Sequence, residues 1–102
     1  MKAKDKIDAT TLSKFDVVDY LGDEATLAEY LSAVIEESDP GLLAAALGDV
    51  AKARGMADIA QASGLARESL YKALRPDAHP RFETVQRVCT ALGLRIEVRP
   101  AA

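Results

Sequence analysis

Residues 56–74 read Met56-Ala-Asp-Ile-Ala-Gln-Ala-Ser-Gly-Leu-Ala-Arg-Glu-Ser-Leu-Tyr-Lys-Ala-Leu74, two short apolar-periodic pieces split by Gly64-Leu65. Two helices that cross steeply through a 3–4-residue turn make three steric demands. The first helix needs a small residue at the crossing, and Ala60 is there. The turn needs a residue that accepts positive φ, and Gly64 stands four positions later. The second helix needs an apolar anchor facing inward, and Leu70 follows in register. Ile59, Leu65, Ala73 and Leu74 complete the buried set. The spacing predicts a helix-turn-helix over 56–74; an ordinary helical hairpin that touches no nucleic acid is the competing interpretation.

Working outward, Asp39-Pro40 predicts an N-cap with proline in the first turn of a helix whose buried stripe is Leu43, Ala46, Leu47 and Val50. Gly55 closes that helix as a left-handed cap. Before it, Asp23 caps a helix with Leu27, Tyr30, Leu31, Val34 and Ile35 at helical spacing. Residues 15–21 are expected to form a short helix capped by Asp16, and the Lys-rich residues 1–14 read as a mobile tail. After the central motif, residues 76–80 hold two prolines and make a loop. Phe82, Val85, Val88, Cys89 and Leu92 mark a last helix ended by Gly93. Then the period changes: Leu94, Ile96 and Val98 alternate with Arg95, Glu97 and Arg99, the pattern of a half-buried strand. A lone strand has no ladder in a helical chain, so it pairs with a second copy or another sheet edge, or packs as an irregular tail. The fold expected is all-α: five to six helices in a lambda-repressor-like arrangement over 15–99, with a short C-terminal β-strand.

Composition narrows the function. With 102 residues, 49% hydrophobic and 28% charged, the chain has the make-up of one ordinary globular domain. The apolar run 42–47 is far short of a membrane span, and the basic start lacks the apolar stretch of a secretory signal. A single cysteine, Cys89, excludes an internal disulfide and suits a reducing cytoplasm. With one histidine, His79, no zinc site of the usual kind can be built in one protomer, and no cofactor is expected. No nucleophile–base pairing or phosphate loop is visible, so catalysis is not expected. Charge is split: residues 1–54 carry −5 and residues 55–102 carry +2, six of the seven basic residues of the second part being Arg.

In a helix-turn-helix the second helix enters the major groove N-terminus first. With Leu65, Leu70 and Leu74 facing inward, the outward face carries Arg67, Glu68, Tyr71 and Lys72, with Arg75 at the end. Arg67 has the fork for guanine O6 and N7, and Glu68 can accept from cytosine N4. Lys72 and Arg75 suit phosphate, and Ser69 and Gln61 suit backbone contacts that position without reading sequence. Arg81 and Thr84 flank the start of the last helix, where amides, a hydroxyl and a guanidinium can hold a phosphate. The plainer alternatives are a solvated face with a Glu68–Lys72 pair, a Tyr71 that packs over the next helix, and a surface Arg81.

Several segments together resemble a known group: Phe15-Asp-Val-Val-Asp-Tyr-Leu21, Tyr30-Leu31, Asp39-Pro40, residues 43–56, residues 64–74, residues 80–85 and residues 91–94. They look like the addiction-module antidote proteins, HigA-like antitoxins with an XRE/Cro-type helix-turn-helix. The resemblance implies a homodimer that represses its own operator, and direct neutralisation of a RelE/HigB-like ribonuclease toxin. By motif it carries DNA-reading roles onto Ala66, Arg67, Glu68, Tyr71 and Lys72. Ala66 departs from the pattern, since related proteins often carry Ser or Thr as that helix cap, and Met56 departs where they often place a polar phosphate contact. A free-standing XRE-type repressor without a toxin is the alternative, and a protein-interaction module without DNA binding a third. The acidic first half is the candidate surface for a basic toxin.

Overall fold

Asp23 and Asp39 start their helices by the same device. The Asp23 carboxylate accepts the amides of Ala25 and Thr26 at 3.0 and 3.3 Å and the Thr26 hydroxyl at 2.6 Å. Those bonds, the Thr26 hydroxyl first, hold its pKa below the usual 3.8. Asp39 accepts the amides of Gly41 and Leu42 at 3.0 and 3.2 Å, with Pro40 in the first turn. Each carboxylate thereby satisfies donors that the helix itself leaves open. The computed structural model describes residues 23–101. Within them run α1 (Glu24–Glu36), α2 (Pro40–Arg54), α3 (Met56–Ser63), α4 (Arg67–Ala73) and α5 (Phe82–Ala91). The described part of the fold is all-α, as expected. The predicted 15–21 helix and the 1–14 tail lie outside the described residues.

α3 is the hub: it packs against α2, α4 and α5, while α1 packs on α2. The core joins Leu27, Tyr30, Leu31 and Val34 of α1 to Leu47 and Val50 of α2 and Val85, Val88 and Leu92 around α5. Because α2 lies between α1 and α3, it is buried on more than one stripe, and Ala44, Gly48 and Ala51 are enclosed with Ala46, Leu47 and Val50. Leu43, expected in the stripe, is half-buried. Met56 is buried, so an apolar residue suits its position. Burial raises the pKa of the Cys89 thiol, and burial together with the Asp49 charge raises that of the Tyr30 phenol.

Four expectations are corrected. Gly55 has φ 110° and ψ 105°, positive φ without the left-handed helical ψ, because it is at once the last cap of α2 and the first of α3. Phe82 is 64% exposed: it is the first residue of α5, and side chains lean toward a helix's N-terminus, so it overhangs the core. Ile35 is 47% exposed because it lines a groove beside the C-terminal segment. The predicted 94–99 strand is not formed: residues 94–101 have no regular secondary structure. After Gly93 (φ 83°) the last backbone bond is Leu94 N–H to Cys89 C=O at 2.8 Å; beyond it, no backbone bond is made among the described residues. Without a ladder partner the alternation survives only as burial, with Leu94 and Ile96 half-buried and Arg95, Glu97 and Arg99 exposed. No helix among the described residues is long and apolar enough to cross a membrane.

Candidate nucleic-acid interface

α3 ends and α4 begins within three residues. Gly64 takes φ 76°, ψ 15°; its amide donates to Gln61 C=O at 3.3 Å and the Leu65 amide to Ala60 C=O at 3.1 Å. These paired bonds close the helix and turn the chain sharply, which needs the left-handed residue that glycine supplies. A Cβ on Gly64 would meet only Arg87 Nη1 at 3.7 Å, so backbone conformation rather than space requires glycine there. Ala60 is buried beneath the turn, and Ser63 donates its hydroxyl to Ala60 C=O at 3.1 Å. Leu70 is fully buried, anchoring α4, with Leu74 buried at its C-terminal cap.

That anchoring turns the rest of α4 outward. Ala66, Arg67, Glu68, Ser69, Tyr71 and Lys72 are all exposed, as are Arg75 just beyond and Gln61 on α3. Ala66 occupies the N-cap with no side-chain hydrogen bond. Arg81 is the N-cap of α5, exposed and also without a side-chain cap bond, and Thr84 in the first turn is half-buried. The structure thus gathers the α4 residues on one exposed surface and sets Arg81 and Thr84 on a separate element, tied to α4 through α3.

Two features were not read from the sequence. The Arg67 guanidinium lies over the Tyr71 ring, 5.8 Å from its centroid. No ion pair joins Glu68 to Lys72 among the described residues; the pair one step along the helix, Arg67 and Tyr71, interacts instead, through the same i,i+4 spacing. Tyr71 is 41% exposed and meets Arg67 with its ring, so its face is turned to the site. Such a contact is worth about 0.5–1 kcal/mol at an exposed site and narrows the conformations of the arginine. The second is Gly48 of α2, where a Cβ would lie 2.7 Å from Leu74 C=O, so the end of α4 sits directly on the α2 backbone. A glycine inside an otherwise helical run is the sequence signal for such an approach.

A family model described as "Probable addiction module antidote protein" matches residues 11–100. The chain belongs to that family. An "Uncharacterized protein" of Haemophilus influenzae (strain ATCC 51907 / DSM 11121 / KW20 / Rd) is 42% identical over 88 residues, spanning 86% of this chain and 91% of its own. No solved structure matches. As an addiction-module antidote, the chain is the antitoxin of a toxin–antitoxin pair and has a toxin as partner. The antidote family match covers α1 to α5 and nearly all of the irregular segment after them.

Proposed function

We propose that the antidote is a dimeric, sequence-specific autorepressor, a single XRE/Cro-type helix-turn-helix domain over 15–99 of HigA-like type, that also neutralises a RelE/HigB-like toxin by direct contact. α3 and α4 are the helix-turn-helix and α4 is the recognition helix. The observation that carries this is the division of α4: Leu70 is wholly buried while Arg67, Glu68, Tyr71 and Lys72 are exposed together. Arg67 reads a guanine and Glu68 a cytosine; Ala66 lets the start of α4 come close to the duplex; Lys72, Arg75, Ser69, Gln61, Arg81 and Thr84 hold the backbone. The Tyr71 ring steadies Arg67 before the groove is met. The protein works in the cytoplasm, without catalysis and without a cofactor. Family membership supports the antitoxin over a free-standing repressor. The acidic surface of α1 and the turn that follows it, with Glu24, Glu29, Glu36, Glu37 and Asp39 exposed, suits a basic toxin.

The test is operator binding by fluorescence anisotropy across a range of salt. Arg67→Ala loses about 1–3 kcal/mol and relaxes preference at one base pair; Arg75→Ala weakens all sequences alike and lowers the salt slope by about one. Unchanged operator affinity in Arg67→Ala refutes the assignment of the reading face. Co-purification with the product of the neighbouring gene tests the toxin contact.

A further inference from the structure

We propose that residues 94–99 are a strand completed only by a second copy of this chain, paired antiparallel with Ile96 opposite the partner's Ile96. The inference rests on the homodimer proposed above and names its contact. Leu94 and Ile96 face α1 across a groove of about 770 Å³ that Leu31 and Ile35 also line. The segment's backbone beyond Leu94 makes no hydrogen bond among the described residues, and Val98, next on the apolar face, is 97% exposed.

The charges select the occupant and the register. Residues opposite one another in an antiparallel pair share a face, and like charges placed so repel. Centring the pair on Arg95 sets that arginine against itself. Centring it on Glu97 sets Glu97 against itself and Arg95 against the partner's Arg99. Centring it on Val98 brings Pro100, which has no N–H, into the ladder. Centring it on Ile96 sets Arg95 against the partner's Glu97 twice, lays Val98 against the partner's Leu94 twice, and leaves Pro100 outside the charged pairs. Centring it on Leu94 calls on Leu92 and Gly93, whose amides already close α5 on Val88, Cys89 and Thr90. Of the remaining registers only the one centred on Ile96 is free of like-charge pairs with proline outside the ladder. Glu97 is besides held at 3.1 Å by its own Arg99, so the acid sits among cations on the outer face. The segment is complementary to itself about Ile96, which favours a second copy over the toxin's sheet edge.

The test is sedimentation equilibrium of the full chain without toxin. Arg95→Glu and Glu97→Arg each put like charges opposite one another at two symmetric places and weaken the dimer by about tenfold or more; the double variant Arg95→Glu/Glu97→Arg restores it. Both positions are exposed, so the helical circular dichroism stays unchanged. Under mild oxidation Ile96→Cys gives a covalent dimer and Val98→Cys does not. Directly opposite Cα atoms lie about 4.5 or 5.5 Å apart, within disulfide reach, and only residue 96 faces its own copy. A wild-type chain that stays monomeric at micromolar concentration overturns the homodimer and this contact with it. A wild-type dimer indifferent to the single reversals, or not rescued by the double, overturns the register alone. If the reversals spare the dimer and abolish toxin binding, the strand belongs to the toxin interface and the proposal fails.

Discussion

Gly48→Ala sets two effects of opposite sign against each other at one position. In a helix interior alanine is favoured over glycine by about 1 kcal/mol, so helix propensity alone stabilises α2. The structure opposes this, because the new Cβ would lie 2.7 Å from Leu74 C=O and 3.5 Å from Leu74 Cβ. The obstacle is backbone at the end of α4 and cannot rotate away as a flexible side-chain tip would. Overpacking of a filled core costs about 1–3 kcal/mol, and a rigid neighbour puts this site in the upper half of that range. The net is a loss of about 1–2 kcal/mol, or roughly 4–16 °C in Tm for a domain of this size. Thermal unfolding followed by circular dichroism measures it. Ala45→Gly, one turn back on α2 at a half-buried position, serves as the propensity control and should lose about 1 kcal/mol. A Gly48→Ala protein that melts at or above the wild-type temperature refutes the close approach of α4 to α2, and with it the account of how α4 is seated.

Two further perturbations probe the frame of α1 and α2. Ser38, between them, holds φ 58°, a conformation that costs an L-residue about 1–2 kcal/mol, so Ser38→Gly should raise Tm once the added freedom of the unfolded chain, up to about 1 kcal/mol, is subtracted; a lowered Tm counts against it. Asp23 has a folded pKa depressed below 3.8, chiefly by the Thr26 hydroxyl, so its contribution is present above that value and is lost as pH falls through the folded pKa. Asp23→Ala should therefore be less stable than wild type at neutral pH, the two acid-unfolding curves converging below pH 3.8; an offset that persists unchanged into strong acid sinks the assignment.

What was legible in the sequence followed strictly local physics. The Asp23 and Asp39 caps, proline in the first turn of α2, the positive φ at Gly64 and the end of α5 at Gly93 each depend on residues within a turn of themselves. The inward set Ala60, Leu70 and Leu74 was readable because periodicity states which face of a helix is apolar. What escaped depends on which element lies across. Nothing local to Gly48 says that Leu74 will rest on it, and nothing in the stripe of α5 says that Phe82 overhangs the end of the core. The Arg67–Tyr71 contact was within reach, since its i,i+4 spacing competes with the Glu68–Lys72 spacing on the same helix. Deciding between them needed the actual rotamers. The 94–99 strand shows the boundary most plainly: the alternation is local and is visible in the burial, whereas a ladder is a property of two strands.

In the proposed dimer on its proposed operator, the charges that set the strand register also bear on how the two α4 helices are placed relative to each other. α3 holds α4, α5 and α2 together, and α5 leads through the Gly93 turn directly into residue 94, so the domain follows its strand as one body. Each two-residue slip moves one strand along the other by about 6.8 Å. Successive half-sites on one face of a duplex lie about 34 Å apart, so on the proposed reading a slip of that size shifts the second α4 against its half-site. The registers centred on Arg95 or Glu97 are the nearest slips, and both place like charges opposite one another. On the proposed reading, Arg95 and Glu97 favour operator binding without touching DNA, by disfavouring dimers whose two α4 helices are out of step with the half-sites.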